Sequence, residues 1–298
     1  MDHVTMCGSD LDAMRHACAA VGLPSEYGGP HANRATHMAL VGFEDGSYLE
    51  LIAPFAPEAA ATGIMGGWAK YMRENAGPSA WAVASSDIHA DVQHLQSAGI
   101  PVRGPDPGGR TRAEGAVLEW ETAILGGGPA GSVLPFMIQD KTPRSLRMQP
   151  SGALERSGIT GVDAVVLGVR DLEDAAAQFR EAFGWAEPLR EESREFGASL
   201  AHFPGTPVTL AATVVGRASR PHVGRQDAGA TLGARLDRFG ECPAAFLLSA
   251  PSLATAVERF PLQLAGSWFG RRLAWFDPAE LGWMRLGVIE SATAGSMP

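Results

Sequence analysis

The stretch that decides the fold is MDHVTMCGSDLDAMRHACAAVGL, residues 1–23, together with THMALVGFEDGSYLELIAP, residues 36–54. The first part predicts a strand over residues 2–8 and an amphipathic helix over 10–21, with Asp10 as N-cap and Gly22 as C-cap. The second part predicts strands over 36–43 and 47–53, because Asp-Gly between two apolar runs is typical of a hairpin turn. The result is one unit with a single helix and a small sheet.

The same outline recurs three more times, with helix caps predicted at Asp87, Asp171 and Ser252. An internal repeat of this kind predicts an α+β protein of four βαβββ modules. One module cannot cover both faces of its sheet, so we expect two pairs of modules, each pair curling its sheet into a cup with the helices outside.

The predicted domains are an N-terminal domain of two modules, residues 1–141, and a C-terminal domain of two modules, residues 159–291. The segment between them, residues 142–158, has lost hydrophobic periodicity and contains Pro143 and Pro150. We interpret this segment as an inter-domain linker.

The composition of the chain argues against some classes of binding partner. The formal net charge of −9 argues against nucleic acid or an anionic membrane as the main partner, which leaves small molecules. The three cysteines have neither disulfide nor zinc-site spacing, which favours a reducing compartment. The sequence has no secretory signal and no apolar run close to the roughly 20 residues of a membrane span, so we expect a cytoplasmic protein without membrane contact.

Several motifs are similar to those of a known superfamily. Asp2-His3-Val4, Ser9-Asp10-Leu11 and Tyr48-Leu49-Glu50-Leu51-Ile52 resemble the vicinal oxygen chelate superfamily, which includes glyoxalase I, extradiol dioxygenases and antibiotic-resistance binding proteins. The stretches 28–31, 36–41, 115–120 and 134–138 resemble, more narrowly, its glyoxalase-like domain branch. The resemblance implies paired half-barrels, but this fold hosts many chemistries.

The resemblance also implies metal ligands at the start of the first strand and in the middle of the last strand of each module. His3 and Glu50 match these two places in the first module. Counting seven residues back from the other helix caps places Ala80, Ala164 and Ala245 where the first module has His3. The counterparts of Glu50 fall on Pro135 or Phe136 in the second module and on Gly287 in the fourth, and the third is ambiguous.

With only two candidate ligands, the sequence is compatible with more than one role for His3 and Glu50. His3 and Glu50 suit a divalent ion such as Fe, Zn, Mn, Ni or Co. Catalytic zinc sites, however, keep three protein ligands. A metal-free pair that acts as acid and base is equally compatible with the sequence, and a pair without a direct role is a further alternative.

His37 is a candidate for contact with the substrate. A two-residue turn at Asp45-Gly46 would place Val41 opposite Glu50, and His37 would then share the face of Glu50. A hydrogen bond from His37 to the backbone at a strand end is the alternative.

Four more side chains are substrate-binding candidates through the family pattern. His31 lies in a Gly/Pro loop that the resemblance places at the rim of the cup, and Arg112 would bind an anionic group. Trp120 and Phe136 lie on predicted strands, where an aromatic ring lines either a substrate platform or the core. For His31 and Arg112, the alternative is a side chain that is exposed to solvent and does not contact the substrate.

Taken together, the resemblance implies a small-molecule enzyme of the lyase, isomerase or ring-cleaving dioxygenase type, with the N-terminal cup as active site. The second pair of modules would be a scaffold or an interface, and a homodimer is compatible with it. The rival interpretation is a metal-free protein that binds and sequesters a small molecule, as in the drug-resistance branch.

Overall fold

The computed structural model describes residues 1–32, 34–55, 67–112, 115–214 and 231–292. Within these ranges the chain forms two eight-stranded sheets, one from each half of the sequence. The predicted α+β fold of four modules in two paired half-barrels is confirmed. Predictions for residues 57–66, 216–230 and 293–298 lie outside the described residues.

Among the described residues, the first half contains eight strands and four helices. The strands are β1 (His3–Cys7), β2 (Glu26–Pro30), β3 (Thr36–Gly42), β4 (Tyr48–Pro54), β5 (Gly77–Ala84), β6 (Val102–Thr111), β7 (Val117–Leu125) and β8 (Phe136–Asp140). The helices are α1 (Leu11–Ala20), α2 (Ala69–Arg73), α3 (Ile88–Ser97) and α4 (Arg144–Arg147), with a 3-10 turn at Gly152–Leu154.

The second half repeats the arrangement. Its strands are β9 (Gly161–Gly168), β10 (Leu189–Ser193), β11 (Ala198–His202), β12 (Val208–Thr213), β13 (Cys242–Ala250), β14 (Leu262–Trp268), β15 (Arg271–Phe276) and β16 (Leu286–Glu290). Its helices are α5 (Leu172–Phe183), α6 (Leu232–Phe239), α7 (Leu253–Arg259) and α8 (Pro278–Leu281). None of the helices among the described residues is long and apolar enough to cross a membrane.

The predicted N-caps are confirmed in all four modules. Asp10 and Asp87 each accept a hydrogen bond from the backbone N–H three residues on, at 3.0 and 3.1 Å. Asp171 accepts from the N–H groups of Glu173 and Asp174, and Ser252 accepts from that of Thr255. Each cap satisfies a donor of the first helical turn that would otherwise lack a partner.

The sheet order brings the first strands of the paired modules together. In the first sheet the order is β2-β3-β4-β1-β5-β8-β7-β6, with β1 parallel to β4 and antiparallel to β5. The second sheet has the equivalent order around β9 and β13. The strands that carry His3 and Glu50 are therefore neighbours at the centre of the first cup.

The two edge strands of the first sheet touch. His31 forms an isolated antiparallel bridge with Arg110, and the N–H of Ala32 donates to the Gly109 carbonyl at 3.1 Å. The Pro/Gly-rich stretch of residues 101–110 is mostly strand, because residues 102–110 belong to β6. Its prolines are tolerated because β6 is an edge strand whose only full ladder is with β7.

The β3–β4 hairpin has a different register from the predicted one. Its turn contains three residues, Glu44 to Gly46, because Phe43 N–H donates to Ser47 O at 2.9 Å. Leu40 therefore lies opposite Glu50. A shift of one residue moves every side chain of a strand to the other face, so the prediction that His37 shares the face of Glu50 is wrong.

Side chains alternate between the cup interior and the helix-covered face. Val4 and Leu49 belong to the main core with the helices, whereas their neighbours Thr5 and Glu50 form the adjacent cross-strand pair inside the cup. The alternation follows from the period of two in a strand. It separates a large apolar core outside the sheets from a small polar group within the first cup.

The two halves share core packing. Trp81 of the first half lies 6.4 Å, between ring centroids, from Phe179 of the second. Ser47 Oγ accepts a hydrogen bond from the N–H of Val162 at 2.8 Å. In the segment between the halves, Arg147 and Met148 are both buried, so these two side chains pack into the protein rather than lying in solvent.

Candidate active site in the N-terminal cup

Glu50 lies in the middle of β4 with its side chain inside the cup. The residue is 6% exposed, and its Oε2 accepts a hydrogen bond from Thr5 Oγ1 at 2.9 Å. Thr5 is the cross-strand partner of Glu50 on β1. The local strand pairing therefore fixes the position of this carboxylate.

His3 lies at the start of β1 and faces the same carboxylate. Its Nε2 is 3.9 Å from Glu50 Oε2, and its Nδ1 is 2.6 Å from Asp2 Oδ1. The ring stacks on Tyr48, with centroids 4.6 Å apart and planes at 14°, and meets Phe136 edge-on at 5.3 Å. These contacts fix both the position and the orientation of the imidazole.

His31 approaches Glu50 from the opposite side. It follows β2, and its Nε2 lies 3.8 Å from Glu50 Oε1, while its Nδ1 is 2.8 Å from Thr36 Oγ1. Burial lowers the pKa of His31, although the Glu50 carboxylate acts in the other direction. His31 is therefore neutral at neutral pH, and the sequence-based expectation of a rim position understates how close it lies to Glu50.

A buried ionic network behind His3 was not found by sequence reasoning. Arg147 donates to both carboxylate oxygens of Asp2 at 2.9 Å, to Asp140 at 2.6 and 2.8 Å, and to the Tyr48 hydroxyl at 2.7 Å. Burial alone would raise the pKa of Asp2, but the hydrogen bonds from His3 and Arg147 outweigh it and hold that pKa far below its usual range. The only signal in the sequence is that an aspartate directly precedes His3.

The strand β6 carries a buried arginine, Arg110, two residues before the candidate Arg112. Arg110 is 3% exposed and donates to the Gly28 carbonyl and, at 2.8 Å, to the Arg147 carbonyl. The bond to Gly28 joins the two edge strands of the sheet, and the bond to Arg147 ties β6 to α4. Arg112 lies just after the end of β6, where its backbone N–H donates to Ala116 O at 2.9 Å.

His37 lies on the outer face of the first sheet, away from the cup. Its ring meets Tyr27 and Phe55 edge-on, at centroid distances of 6.0 and 5.4 Å. The substrate contact predicted for His37 depended on the wrong hairpin register, and the observed register removes that basis.

The two predicted aromatic candidates both face the cup interior. Phe136 is 5% exposed and contacts His3. Trp120 is half-buried, and its indole lies directly over Gly108, where an added Cβ would come within 2.4 Å of Trp120 Nε1. Gly108 is therefore required for the packing of this ring.

The equivalent positions of the other three modules carry neither a histidine nor a carboxylate. Strand pairing equates the Thr5–Glu50 pair with Ala82–Phe136, Val166–Thr209 and Leu247–Gly287 in the other modules. The predicted counterpart in the fourth module, Gly287, is confirmed, and Phe136 is the counterpart in the second.

The donor chemistry of His3, His31 and Glu50 suits a first-row divalent ion, but their spacing does not. Two ligands that are each about 2.1 Å from one ion at tetrahedral or octahedral angles lie about 3.0–3.4 Å apart. The observed separations are 3.9 and 3.8 Å. Over the part of the chain that the structure describes, no group of three or more His, Cys, Asp and Glu side chains is arranged to hold a metal ion.

Two cavities lie away from His3 and Glu50. A cavity of about 450 Å³ at the end of the first cup is lined by Arg144 and Asp140 among others, and neither His3 nor Glu50 lines it. In the second cup, a space of about 10 Å³ lies beside His202, which is at the lower limit for one water molecule. The second cup is otherwise filled by apolar side chains.

The paired modules, the curled sheets and the placement of His3 and Glu50 on adjacent central strands are those of the vicinal oxygen chelate superfamily. Within this class, the chain belongs to the family described as "Glyoxalase-like domain", whose model matches residues 1–183. That match covers the whole first sheet and ends in α5 of the second half. The predicted resemblance is confirmed.

Several solved structures are similar to this chain at low sequence identity. A hypothetical protein from Staphylococcus aureus is 14% identical, with 96% of this chain and 97% of that chain covered and a TM-score of 0.60. A triple mutant of 4-hydroxymandelate synthase from Streptomyces coelicolor is 12% identical, with 97% and 92% covered and a TM-score of 0.57. Methylmalonyl-CoA epimerase from Mycobacterium tuberculosis is 19% identical over 45% of this chain and 90% of that chain, with a TM-score of 0.35. A search of curated protein sequences gives no match.

Proposed function

We propose that the N-terminal cup is the active site of an enzyme that moves a proton on a small oxygen-bearing molecule, in an isomerase or lyase type of reaction. The observation that carries this proposal is the position of Glu50 between two imidazoles. His3 Nε2 lies 3.9 Å from one carboxylate oxygen, and His31 Nε2 lies 3.8 Å from the other.

The carboxylate of Glu50 is short of hydrogen-bond donors for a buried group. Its one hydrogen bond among the described residues comes from Thr5, and both imidazole nitrogens lie beyond hydrogen-bond distance. Burying a charged group without full pairing costs stability. A carboxylate kept in this state at the centre of a cup is typical of a functional site, where a substrate hydroxyl or a water supplies the missing donor.

The three side chains divide the work of a proton transfer. Glu50 takes a proton from the carbon next to a carbonyl, one of the two imidazoles accepts that proton from Glu50, and the resulting imidazolium delivers it to another atom of the same molecule. His31 is neutral and can act as donor or acceptor according to its tautomer. Phe136 and Trp120 form apolar walls that exclude water from the transfer.

This proton transfer uses the chain's own residues and runs through no metal. The spacing of His3, His31 and Glu50 is too wide for a preformed ion site, as described above. The experiment nevertheless includes a measurement of Fe, Zn, Mn, Ni and Co in protein purified without a histidine tag or chelator. Stoichiometric metal that is lost in Glu50→Gln would replace the metal-free proposal with a chelate.

The direct test is hydrogen exchange in D2O, followed by proton NMR on a panel of 2-oxo acids, 2-hydroxy aldehydes and 2-hydroxy ketones. We expect the protein to accelerate exchange of the carbon-bound proton in one class, and Glu50→Gln to slow it by about 10²–10⁴-fold. Glu192→Gln is the matched control, because Glu192 is an exposed glutamate on β10. Equal exchange by wild type and Glu50→Gln would rule out Glu50 as the base.

Binding without exchange would favour the sequestration protein instead. A panel compound that raises the melting temperature of wild type and of Glu50→Gln alike, with no exchange, is the result expected of that function.

For the compartment we propose the cytoplasm, because Cys7, Cys18 and Cys242 are all buried and unpaired.

A further inference from the structure

Asp2 is an ionic group buried directly behind the imidazole of His3. The residue is 0% exposed, and its Oδ1 lies 2.6 Å from His3 Nδ1. Arg147 holds both carboxylate oxygens at 2.9 Å, and Arg144 also contacts Oδ2. The two arginines come from α4, in the segment that the sequence predicts to be a linker.

The bidentate contact with Arg147 keeps the Asp2 carboxylate ionised, because it places a guanidinium fork on both oxygens. An ionised carboxylate can only accept hydrogen bonds. The short contact to His3 therefore requires that Nδ1 of His3 carries the proton. In the neutral ring, Nε2 then has a free lone pair, and it points towards Glu50.

The ring cannot turn to avoid this arrangement. Tyr48 stacks on one face of His3, and Phe136 contacts it edge-on. The Tyr48 hydroxyl is in turn held by Arg147 at 2.7 Å. Arg147 thus holds the Asp2 carboxylate, which determines the tautomer of His3. It also holds the Tyr48 ring, which determines the orientation of His3.

We propose that Asp2, anchored by Arg147, is a positioning residue that holds His3 in the tautomer protonated on Nδ1 and leaves Nε2 as a proton acceptor facing Glu50. The role of that acceptor in turnover rests on the proposed function. The tautomer itself does not, and it can be measured without any substrate.

The second half provides a matched control. Asp163 occupies the place of Asp2, one residue before Ala164, and it pairs with Arg271 through Oδ2 and Nη1 at 2.9 Å. The residue that follows it is alanine, so this aspartate–arginine pair has no equivalent of His3 to position. Asp163→Asn therefore disturbs the equivalent ion pair of the second half, which is more exposed, without affecting the tautomer of His3.

The test is long-range ¹H–¹⁵N correlation NMR on the full chain labelled with ¹⁵N-histidine, at pH 8, with His3→Gln used to assign the His3 signals. We expect wild-type His3 to show a protonated Nδ1 and an unprotonated Nε2. In Asp2→Asn we expect the other tautomer to become populated, since an asparagine amide can donate to Nδ1. Asp163→Asn should leave the His3 signals unchanged.

Two results would overturn the proposal: a proton on Nε2 in the neutral wild-type ring, or an unchanged tautomer in folded Asp2→Asn. The first needs no variant, so the proposal is testable even if Asp2→Asn fails to fold. If the tautomer is as stated but the D2O assay shows no exchange in any class, the proposed function fails and the positioning by Asp2 stands. If exchange depends on Glu50 but His3 is protonated on Nε2, the proposed function stands and the positioning by Asp2 fails.

Discussion

Replacing Arg147 with methionine should be among the most destabilising single changes in the first half. The Arg147 side chain is 3% exposed and bonds to Asp2, Asp140 and the Tyr48 hydroxyl. Methionine is an unbranched apolar side chain that can fill much of the same space. The variant therefore removes the charge and its hydrogen bonds with a limited loss of packing.

The expected cost follows from the carboxylate left behind. Asp2 is fully buried and would keep His3 and Arg144, the latter on a side chain that is 34% exposed. Removing one partner of a buried ion pair costs about 3–5 kcal/mol. Asp140 is 18% exposed and can be rehydrated, so it should add little. At about 2–4 °C per kcal/mol for a unit of this size, the melting temperature should fall by about 6–20 °C.

Thermal unfolding followed by circular dichroism measures this fall. Arg180→Met is the control, because Arg180 pairs with Glu187 at the surface, where the side chains are 44% and 60% exposed. A surface pair of this kind contributes about 0–1 kcal/mol. Adding Asp2→Asn to Arg147→Met should recover part of the loss, since the unpaired buried charge is then gone. If Arg147→Met melts no lower than Arg180→Met, the reasoning from buried charge is refuted.

Two further variants test the walls of the cup by urea unfolding. Burial lowers the pKa of His31 in the folded protein, so below about pH 6.5 the unfolded chain binds more protons. The contribution of His31 to stability is therefore full above about pH 6.5 and falls below it. His31→Gln should flatten that fall, and an unchanged slope would contradict the assignment. Gly42→Ala should cost about 1–3 kcal/mol, because its Cβ would lie 2.1 Å from the carbonyl oxygen of Gln149. Gly152→Ala, whose Cβ would have no neighbour within 4 Å, should cost less than Gly42→Ala, and equal losses would show that the close contact is not the cause.

Local features of the chain were predictable from the sequence because their physics is local. An aspartate or serine before an apolar helical pattern caps the helix wherever the rest of the fold lies, and all four predicted caps are present. The repeat of these caps fixed the number of modules. Counting from the caps then gave the alanines that stand in the place of His3, and with them the conclusion that one module alone keeps its ligand types.

Features that depend on distant contacts were not predictable in the same way. One extra residue in the Glu44–Gly46 turn reversed the face of His37. The approach of His31 to Glu50 depends on the closure of the sheet between β2 and β6, and β6 reads as a Gly/Pro-rich loop because an edge strand tolerates those residues. Arg147 lies 145 residues from Asp2, and no spacing rule connects them.

The second half lacks the histidine and carboxylate of the first cup at the equivalent positions, and it packs against the first half. Its own interior is closed by Phe196, Trp268 and Trp275, whose rings pack against one another at centroid distances of 5.2–5.8 Å. Arg235 of α6 reaches across to donate to the carbonyl of Ala76 at 2.6 Å and to that of Pro78, the residues on either side of the first residue of β5. Since β5 pairs with β1, the strand of His3, we infer that the second pair of modules holds the wall on which the candidate site is built. On this inference, the second pair of modules, which lacks the ligand types of the first cup, is retained because it stabilises the first pair. Its fold is therefore intact although its own cup is filled by apolar side chains.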